Sequence, residues 1–352
     1  MYHHAKICIV DTIFPKGHRY LNSKLLEAIS EYYSIDVINN YSYYKDIKLK
    51  NVNIIDKKQF RLGKNKLLNH LKLILNGLFV SMGIKSKKYD AIIFFTFDTI
   101  NFALIKFLFR NKNIILIHHD NTARLKDKFK YQCFQKYRNK VKHIVFSPIL
   151  KQYLTTEIGV DSNLIFDIPH PLPADCYEIK DIKTSPKIIL STGYANDETL
   201  IKDIIEYEET NHILEKNGII WKIRSSNITY EGASLSIFNE HISQEEYNEL
   251  YNNAYSIVLL YSNEYAYRFS GVLFDGLTHG RIILGPPIAL VNYYNEKYPN
   301  MCIIFNNTSE LVNEIASLKY PSKECIECIH QEIITQSSQS NIAESLRNVI
   351  AK

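Results

Sequence analysis

YRFSGVLFDGLTHGRIILG, Tyr267 to Gly285, is the stretch on which the reading of this chain turns. An apolar helix here begins at Ser-Gly, carries one carboxylate at Asp275, and breaks at Gly280 before a short Arg281–Leu284 strand. A helix that only fills a core needs none of these features. Ser270 can cap the helix through its hydroxyl. Gly271 lets a ligand approach the backbone with no Cβ in the way. The free amides and the dipole of that N-terminus favour a phosphate or another anionic oxygen. Asp275, a little over one turn inward, can accept two hydrogen bonds from a vicinal diol such as a ribose. Gly280 takes the C′ role at the other end. The same residue types also fit a capped core helix with a solvated Asp.

Outward from this stretch, short β-branched runs alternate with helical patterns. In the first half, Lys6–Val10, Ser34–Ile38, Ala91–Thr96, Asn113–Ile117 and Lys142–Phe146 read as strands. Helical patterns cover about Leu21–Tyr32, Thr99–Arg110 and Ile149–Ile158. Ile165 to Lys187 holds four prolines and no periodicity, which reads as an interdomain linker. The pattern then restarts with strands at Ile188–Ser191, Gly218–Ile223, Ser256–Leu260 and Arg281–Leu284. Helices are expected at Glu198–Leu214, Gln244–Asn252 and Gly271–Thr278, and three more helical patterns finish the chain. Continuous apolar strands alternating with helices predict α/β domains with parallel sheets covered on both faces. The expected division is 1–170, 171–335, and a C-terminal helix over 336–352 that can pack back on the first domain. Ligands of such sheets bind beyond the carboxyl ends of the strands, so two sheets facing each other predict a cleft.

The chain of 352 residues is long enough for two domains, and 46% apolar with 22% charged residues is an ordinary globular composition. No secretory signal is read at the N-terminus, and Leu67–Ile84, the most apolar stretch, contains Asn69, His70, Lys72 and Asn76, a poor membrane span. Six cysteines without such a signal suggest a reducing compartment, hence a cytoplasmic protein. Cys325 and Cys328 form a lone CxxC near His330; without a second pair they read as two cysteines on a helix, and no metal is expected. The net charge of +5 hides a division: residues 1–170 carry 28 Lys+Arg against 13 Asp+Glu, and residues 171–352 carry 14 against 24. The basic half suits phosphates of a ligand, a nucleic acid or an anionic lipid, or simply a surface that attracts the acidic half.

Two loops of the first half carry chemistry. PKGHRY follows the first strand, where Gly17 can bring backbone amides to a phosphate or make a plain turn. HHD, His118 to Asp120, follows the Asn113–Ile117 strand, and alternation along that strand points only one of the two histidines inward, with His119 preferred. RLKDKFKYQCFQKYRNKVKH, Arg124 to His143, is basic with interleaved aromatics. It reads as a nucleic-acid surface, a membrane-surface helix or a solvated face. Together with 67–84 it offers a way to an anionic bilayer.

Taken together, these motifs resemble the GT-B glycosyltransferases, in particular family 4. Tyr267, Ser270, Gly271 and Asp275 match the Tyr-x-x-Ser-Gly-x-x-x-Asp version of the donor-site signature found in a subgroup active on bacterial surface polysaccharides. IPHPL resembles the family's linker, STGYANDETLI its phosphate loop, and SQEEYNELYNNAYSIVLLYSNE the helix and strand before the signature. The resemblance covers most of 140–300. It implies two Rossmann-like domains, a nucleotide-sugar donor, retaining transfer without a metal or cofactor, and a glycan or lipid-linked acceptor on the inner face of the membrane; no nucleic acid is expected. It places donor contacts at Gly17, His118, Gly193, Tyr194, Tyr267, Ser270, Gly271 and Asp275, and catalysis at His119 and Asp120.

Three positions depart from the family. Tyr267 stands where a first Glu is common, and Tyr194 and Thr199 stand where the loop often has Arg and Lys. A diphosphate needs cationic partners, for which Lys202, Arg224 and Arg268 are the substitutes. The departures leave open a non-catalytic partner that binds a sugar nucleotide, and a nucleotide-sugar epimerase on the same fold. A nicotinamide dehydrogenase does not fit, because no G-x-G-x-x-G follows a predicted strand.

Overall fold

The computed structural model describes the chain except residues 1–4, 14–17, 40–43, 45, 57–59, 61, 64, 86–87, 110–111, 174–175, 177, 180–184, 194–195 and 241. It divides into two compact units, Met1–Pro171 with Ser337–Lys352, and Leu172–Gln336.

The first unit is built on an all-parallel sheet of β1 (Lys6–Asp11), β2 (Ser34–Asn39), β3 (Val52–Asp56), β4 (Ala91–Phe94), β5 (Ile114–Ile117), β6 (Lys142–Val145) and β7 (Ile165–Asp167). Their order is β3-β2-β1-β4-β5-β6-β7. Ile9 pairs with Val37 on one side and Ile93 on the other, and β1, β4 and β5 are buried almost end to end, as a parallel sheet with both faces covered requires. The helices are α1 (Arg19–Ser30), α2 (Lys66–Lys85), α3 (Thr99–Ile105), α4 (Lys128–Gln135) and α5 (Pro148–Gln152). α3 is capped by Asp98, which accepts from the Asn101 amide at 2.8 Å, and runs on into a 3-10 turn, Lys106–Phe109.

The second unit carries β8 (Lys187–Ser191), β9 (Ile219–Arg224), β10 (Tyr230–Glu231), β11 (Leu235–Phe238), β12 (Ser256–Val258), β13 (Ile282–Gly285) and β14 (Cys302–Ile304), in the order β10-β11-β9-β8-β12-β13-β14. All pairs are parallel except β10 with β11. Its helices are α6 (Glu198–Asn211), α7 (Ile213–Lys216), α8 (Gln244–Asn253), α9 (Gly271–Thr278), α10 (Ala289–Lys297), α11 (Thr308–Ser317) and α12 (Lys323–Gln336). The last helix, α13 (Gln339–Ala351), belongs to the first unit. It buries Ile342, Leu346 and Val349, lays the Arg347 guanidinium over the Tyr32 ring at 5.1 Å, and accepts Lys142 Nζ at the Val349 carbonyl at 3.1 Å.

In both sheets the strand order reverses beside the first strand of the unit, between β1 and β4 and between β8 and β12. Loops leaving opposite sides of such a point open a crevice at the carboxyl edge.

Several expectations are corrected. The helix expected over Glu198–Leu214 breaks at His212, which takes φ 51° and ψ 38°. The helix expected over Ile149–Ile158 is α-helical only to Gln152 and continues as a π turn, Tyr153–Glu157. The linker expected from Ile165 begins with β7, which completes the first sheet. The basic segment 124–143 is not one helix: Arg124 turns at φ 54°, α4 spans only Lys128–Gln135 and buries Cys133 and Phe134, and β6 starts at Lys142. The second sheet is not apolar on both faces throughout, since β9 and β11 alternate buried and half-buried residues. Among the described residues no helix is long and apolar enough to cross a membrane.

Candidate functional site

In the second unit the site gathers at the β8/β12 switch point. Ser270 accepts from the Leu273 amide at 3.1 Å and so caps α9, while the Tyr261 hydroxyl, after β12, reaches Ser270 Oγ at 2.9 Å. The Gly271 and Val272 amides stand at the open end of the helix, and a Cβ built on Gly271 meets nothing within 4 Å. At the far end Gly280 sits at φ +68°, with the Arg281 amide returning to the Gly276 carbonyl at 2.9 Å and the Gly280 amide to Leu277 at 3.0 Å. This pairing closes the last turn as a Schellman motif. A Cβ on Gly276 would stand 2.5 Å from Ile283 Cδ1 and 3.0 Å from Ile257 Cγ1, so glycine there lets α9 lie close on β12 and β13.

Asp275 faces α8. The Tyr247 hydroxyl donates to its Oδ2 at 2.9 Å. The Tyr247 ring stacks on Tyr251 with centroids 4.4 Å apart, and the Tyr251 hydroxyl meets Thr192 Oγ1 at 2.9 Å. Burial pushes the Asp275 carboxyl up to about 7, and the Tyr247 bond opposes that rise. The Tyr247 phenol is pushed up by burial and by the Asp275 charge. Arg281, fully buried, fixes this helix: Nε and Nη2 donate to the Tyr251 and Asn252 carbonyls at 3.2 and 2.9 Å, satisfying its last turn.

The loop after β8 is drawn to the same place. Asn196 Nδ2 donates to the Ser191 carbonyl at 3.0 Å and the Arg224 carbonyl at 2.8 Å, and Asn196 bridges to Tyr261. A Cβ on Gly193 would press on Asn196 Oδ1 and Tyr261 Cε1, both at 3.2 Å. Arg268 places its guanidinium 5.2 Å from the Tyr265 ring centre, and that ring stacks on Tyr261 at 3.9 Å. Arg224 and Tyr267 are half-buried beside this set, one at the end of β9 and one in the loop before α9. Lys202 is exposed on α6. Tyr194 lies outside the described residues.

In the first unit the strand ends gather histidines. His118 points into the core, where its Nε2 lies 2.9 Å from His143 Nδ1 and the His143 Nε2 lies 2.7 Å from the Arg138 carbonyl. His119 points the other way and stacks on His18, with centroids 4.1 Å apart and planes at 13°. Phe146 lies beside both His119, at 5.7 Å, and His170, at 5.2 Å. His119 is buried and its Nε2 has no hydrogen-bond partner among the described residues. Burial, then the charges of His18 and His170, hold the His119 imidazole well below its ordinary range. Burial also lowers His18, against the pull of Asp120 and Asp11. Asp120 is exposed. Asp11 is a buried structural carboxylate that accepts from Asn22 at 3.0 Å, from Thr96 at 2.7 Å and from Tyr44. Gly17 lies outside the described residues.

Tyr247, Tyr251, Asn196, Tyr261, His18 and His170 were not singled out in the sequence. Tyr247 and Tyr251 had a signal, two tyrosines one helical turn apart on α8. Among the described residues no group of His, Cys, Asp or Glu has the makings of a metal site, Cys325 and Cys328 included.

Compared by sequence, the chain matches no family model and no curated protein. Compared by fold, it has the architecture of the GT-B glycosyltransferases along its whole length. It is similar to a glycosyltransferase from Rickettsia africae, with a TM-score of 0.66, 12% identity, and 99% of this chain and 98% of that one covered. It is similar to HepE of Anabaena, solved with UDP and glucose, at a TM-score of 0.68 and 10% identity over 99% and 100% of the two chains. The lipopolysaccharide outer core galactosyltransferase WaaB, in its apo form, gives 0.63 and 12% over 98% and 99%. At these identities the likeness defines the fold.

Proposed function

We propose that this protein is a glycosyltransferase that moves a hexosyl group from a nucleotide-sugar to a glycan or lipid-linked acceptor in bacterial surface polysaccharide synthesis. The observation that carries the reading is the set of Ser270, Gly271 and Asp275 at the β8/β12 switch point: an open helix N-terminus and, one turn on, a carboxylate. The amides suit the diphosphate, and Asp275 suits the ribose hydroxyls. Arg224 and Arg268 would add positive charge as the bond from the anomeric carbon to the diphosphate breaks; stabilising that leaving group is the main electrostatic task of the reaction. In the first unit, His119 is buried with its Nε2 unengaged among the described residues, which suits a sugar hydroxyl, and Asp120 follows it in the chain. The second unit thus binds the donor and the basic first unit receives the acceptor. The fold shared with proteins solved with UDP and with a galactosyltransferase supports this reading; the resemblance adds retention of anomeric configuration, independence of metal and action on the cytoplasmic side of the membrane.

A second reading, a partner that binds a sugar nucleotide without turning it over, is favoured by Tyr267, which lacks the carboxylate usual at that position. One experiment separates the two. A thermal-shift screen against nucleotide sugars, with and without magnesium, is followed by nucleotide release in the presence of a lipid-linked acceptor. The transferase reading expects a shift with one nucleotide, indifference to magnesium, acceptor-dependent release, and loss of both signals in Asp275→Ala. Binding without release selects the partner. No shift with any nucleotide refutes both, since a ligand of the folded state must raise its melting temperature.

A further inference from the structure

The outer face of α2 carries a feature that sugar transfer does not use. Leu68, Leu71, Leu75, Leu78, Phe79 and Met82 recur every three to four residues, and at 3.6 residues per turn they share an arc of about 100°. All but Leu75, which is half-buried, are exposed, Met82 at 59%. The opposite face of the helix is the one that packs: Asn76, Val80 and Ile84 are buried, and Gly77 sits so close to α3 that a Cβ would stand 2.6 Å from Ile105 Cδ1. A surface helix normally has one apolar face; this one has two. The patch extends onto the end of α3 and the 3-10 turn that follows it, where Leu104 and Phe107 are exposed three residues apart, Phe107 at 69%. α4, which packs beside α3, exposes Phe129 at 64%.

The segments that carry this patch are basic, and the acidic residues nearest to them in the chain are Asp98 and Asp127, at the N-caps of α3 and α4. Residues 66–85, 99–109 and 128–135 contain no Asp or Glu, and they contain Lys66, Lys72, Lys85, Lys106, Lys128 and Lys130. Lys128, Lys136 and Lys140 are exposed. A protein partner of ordinary surface would leave such lysines facing lysines or apolar groups. A layer that is anionic at its surface and apolar beneath meets both features at once. Among the described residues no helix, α2 included, is long and apolar enough to cross that layer, so α2 would lie in the interface with its long axis parallel to the surface.

We infer that α2, the Leu104–Phe107 turn and α4 form a docking face for an anionic lipid bilayer. The inference does not depend on sugar transfer, and its test needs no donor. Full-length protein is sedimented with vesicles of phosphatidylcholine alone and of phosphatidylcholine with about 30 mol % phosphatidylglycerol. The expected result is pelleting with the anionic vesicles, weaker pelleting with the neutral ones, and release as salt rises. The triple variant Leu71→Ser, Phe79→Ser, Met82→Ser should partition at least ~10-fold less, because three exposed side chains no longer enter the acyl boundary. Its circular dichroism melt should match the parent, since none of the three is buried. Lys72→Glu with Lys106→Glu should weaken binding to anionic vesicles and flatten its salt dependence. Equal recovery with and without vesicles would overturn the inference, as would a triple variant that pellets like the parent. So would light scattering that shows a vesicle-free dimer broken by the triple variant, which would assign the face to a second copy of the chain.

Discussion

Tyr247→Phe isolates the most sensitive electrostatic feature of the donor site. Among the described residues the Tyr247 hydroxyl donates to Asp275 Oδ2, and burial pushes the carboxyl up to about 7 against that bond. A carboxylate must be ionised to accept two hydroxyl donors, so nucleotide-sugar affinity should rise with pH through about 7 and fall about tenfold per unit below it. A hydrogen bond to a charged group contributes about 1.5–3 kcal/mol. Its removal should therefore raise the Asp275 pKa by about 1–2 units. At pH 7 the wild-type site is about half ionised and the variant site about 1–10% ionised, which predicts ~5- to 50-fold weaker binding that recovers by about pH 9. The carboxylate has four lone-pair positions, so the tyrosine and a ribose diol need not compete. The assay is isothermal titration of the nucleotide sugar that gives the largest thermal shift, at half-unit steps of pH, with the diphosphate diester kept as ligand because it does not titrate in this window. A binding midpoint that does not move in Tyr247→Phe refutes the coupling. A wild-type affinity flat across pH 6 to 8 refutes the role of Asp275 itself.

Other consequences are structural. His118, His119, His143 and His170 are all depressed by burial, to about 4 for His143 and about 3 for His170. The unfolded chain takes up their protons near 6.5 while the folded chain does not, so stability is present above that pH and lost as pH falls below it, by about 1.4 kcal/mol per unit for each histidine. Asp11, raised by burial, works in the opposite direction in the acid range. Urea unfolding at pH 7.5, 6 and 5 should show a falling midpoint, and a constant midpoint would contradict it. Gly276→Ala should lose about 1–3 kcal/mol by overpacking against Ile283 and Ile257, read as a lower urea midpoint. Arg281→Met should free the Tyr251 and Asn252 carbonyls, lower stability by about 1–3 kcal/mol, and weaken nucleotide binding through the loosened Tyr247.

What could be read from the sequence was what is encoded locally. The buried strands β1, β4 and β5 announce themselves as unbroken apolar runs, and the cap and stop of α9 are spelled by Ser270 and Gly280 within one short stretch. β3 was missed because VNIID is a half-buried edge strand, and β7 because it precedes a proline-rich run. β10 and β11 were missed because their contribution to the sheet is short and alternating. Asp275 was legible as a candidate, but its partner was not: Tyr247 comes from another helix, 28 residues earlier. Alternation after β5 said that only one of His118 and His119 faces the ligand side, whereas the stacking of His18 on His119 depends on segments that follow β1 and β5, strands separated in the sheet by β4. Lys202, put forward by its spacing from the phosphate loop, lies exposed on α6.

The return of α13 to the first unit has a consequence for synthesis. Everything from Leu172 to Gln336 must leave the ribosome before α13 can cover the apolar side of α1. The second unit therefore has its complete sequence first, and the first unit waits, with α1 lacking the helix that packs against it. A chain cut short just after Gln336 would keep the whole donor-side unit and still present a sticky, incomplete partner to chaperones and proteases. Late truncations should thus be found as aggregates or degradation products, and co-expression of the α13 segment as a separate peptide is the direct way to rescue them.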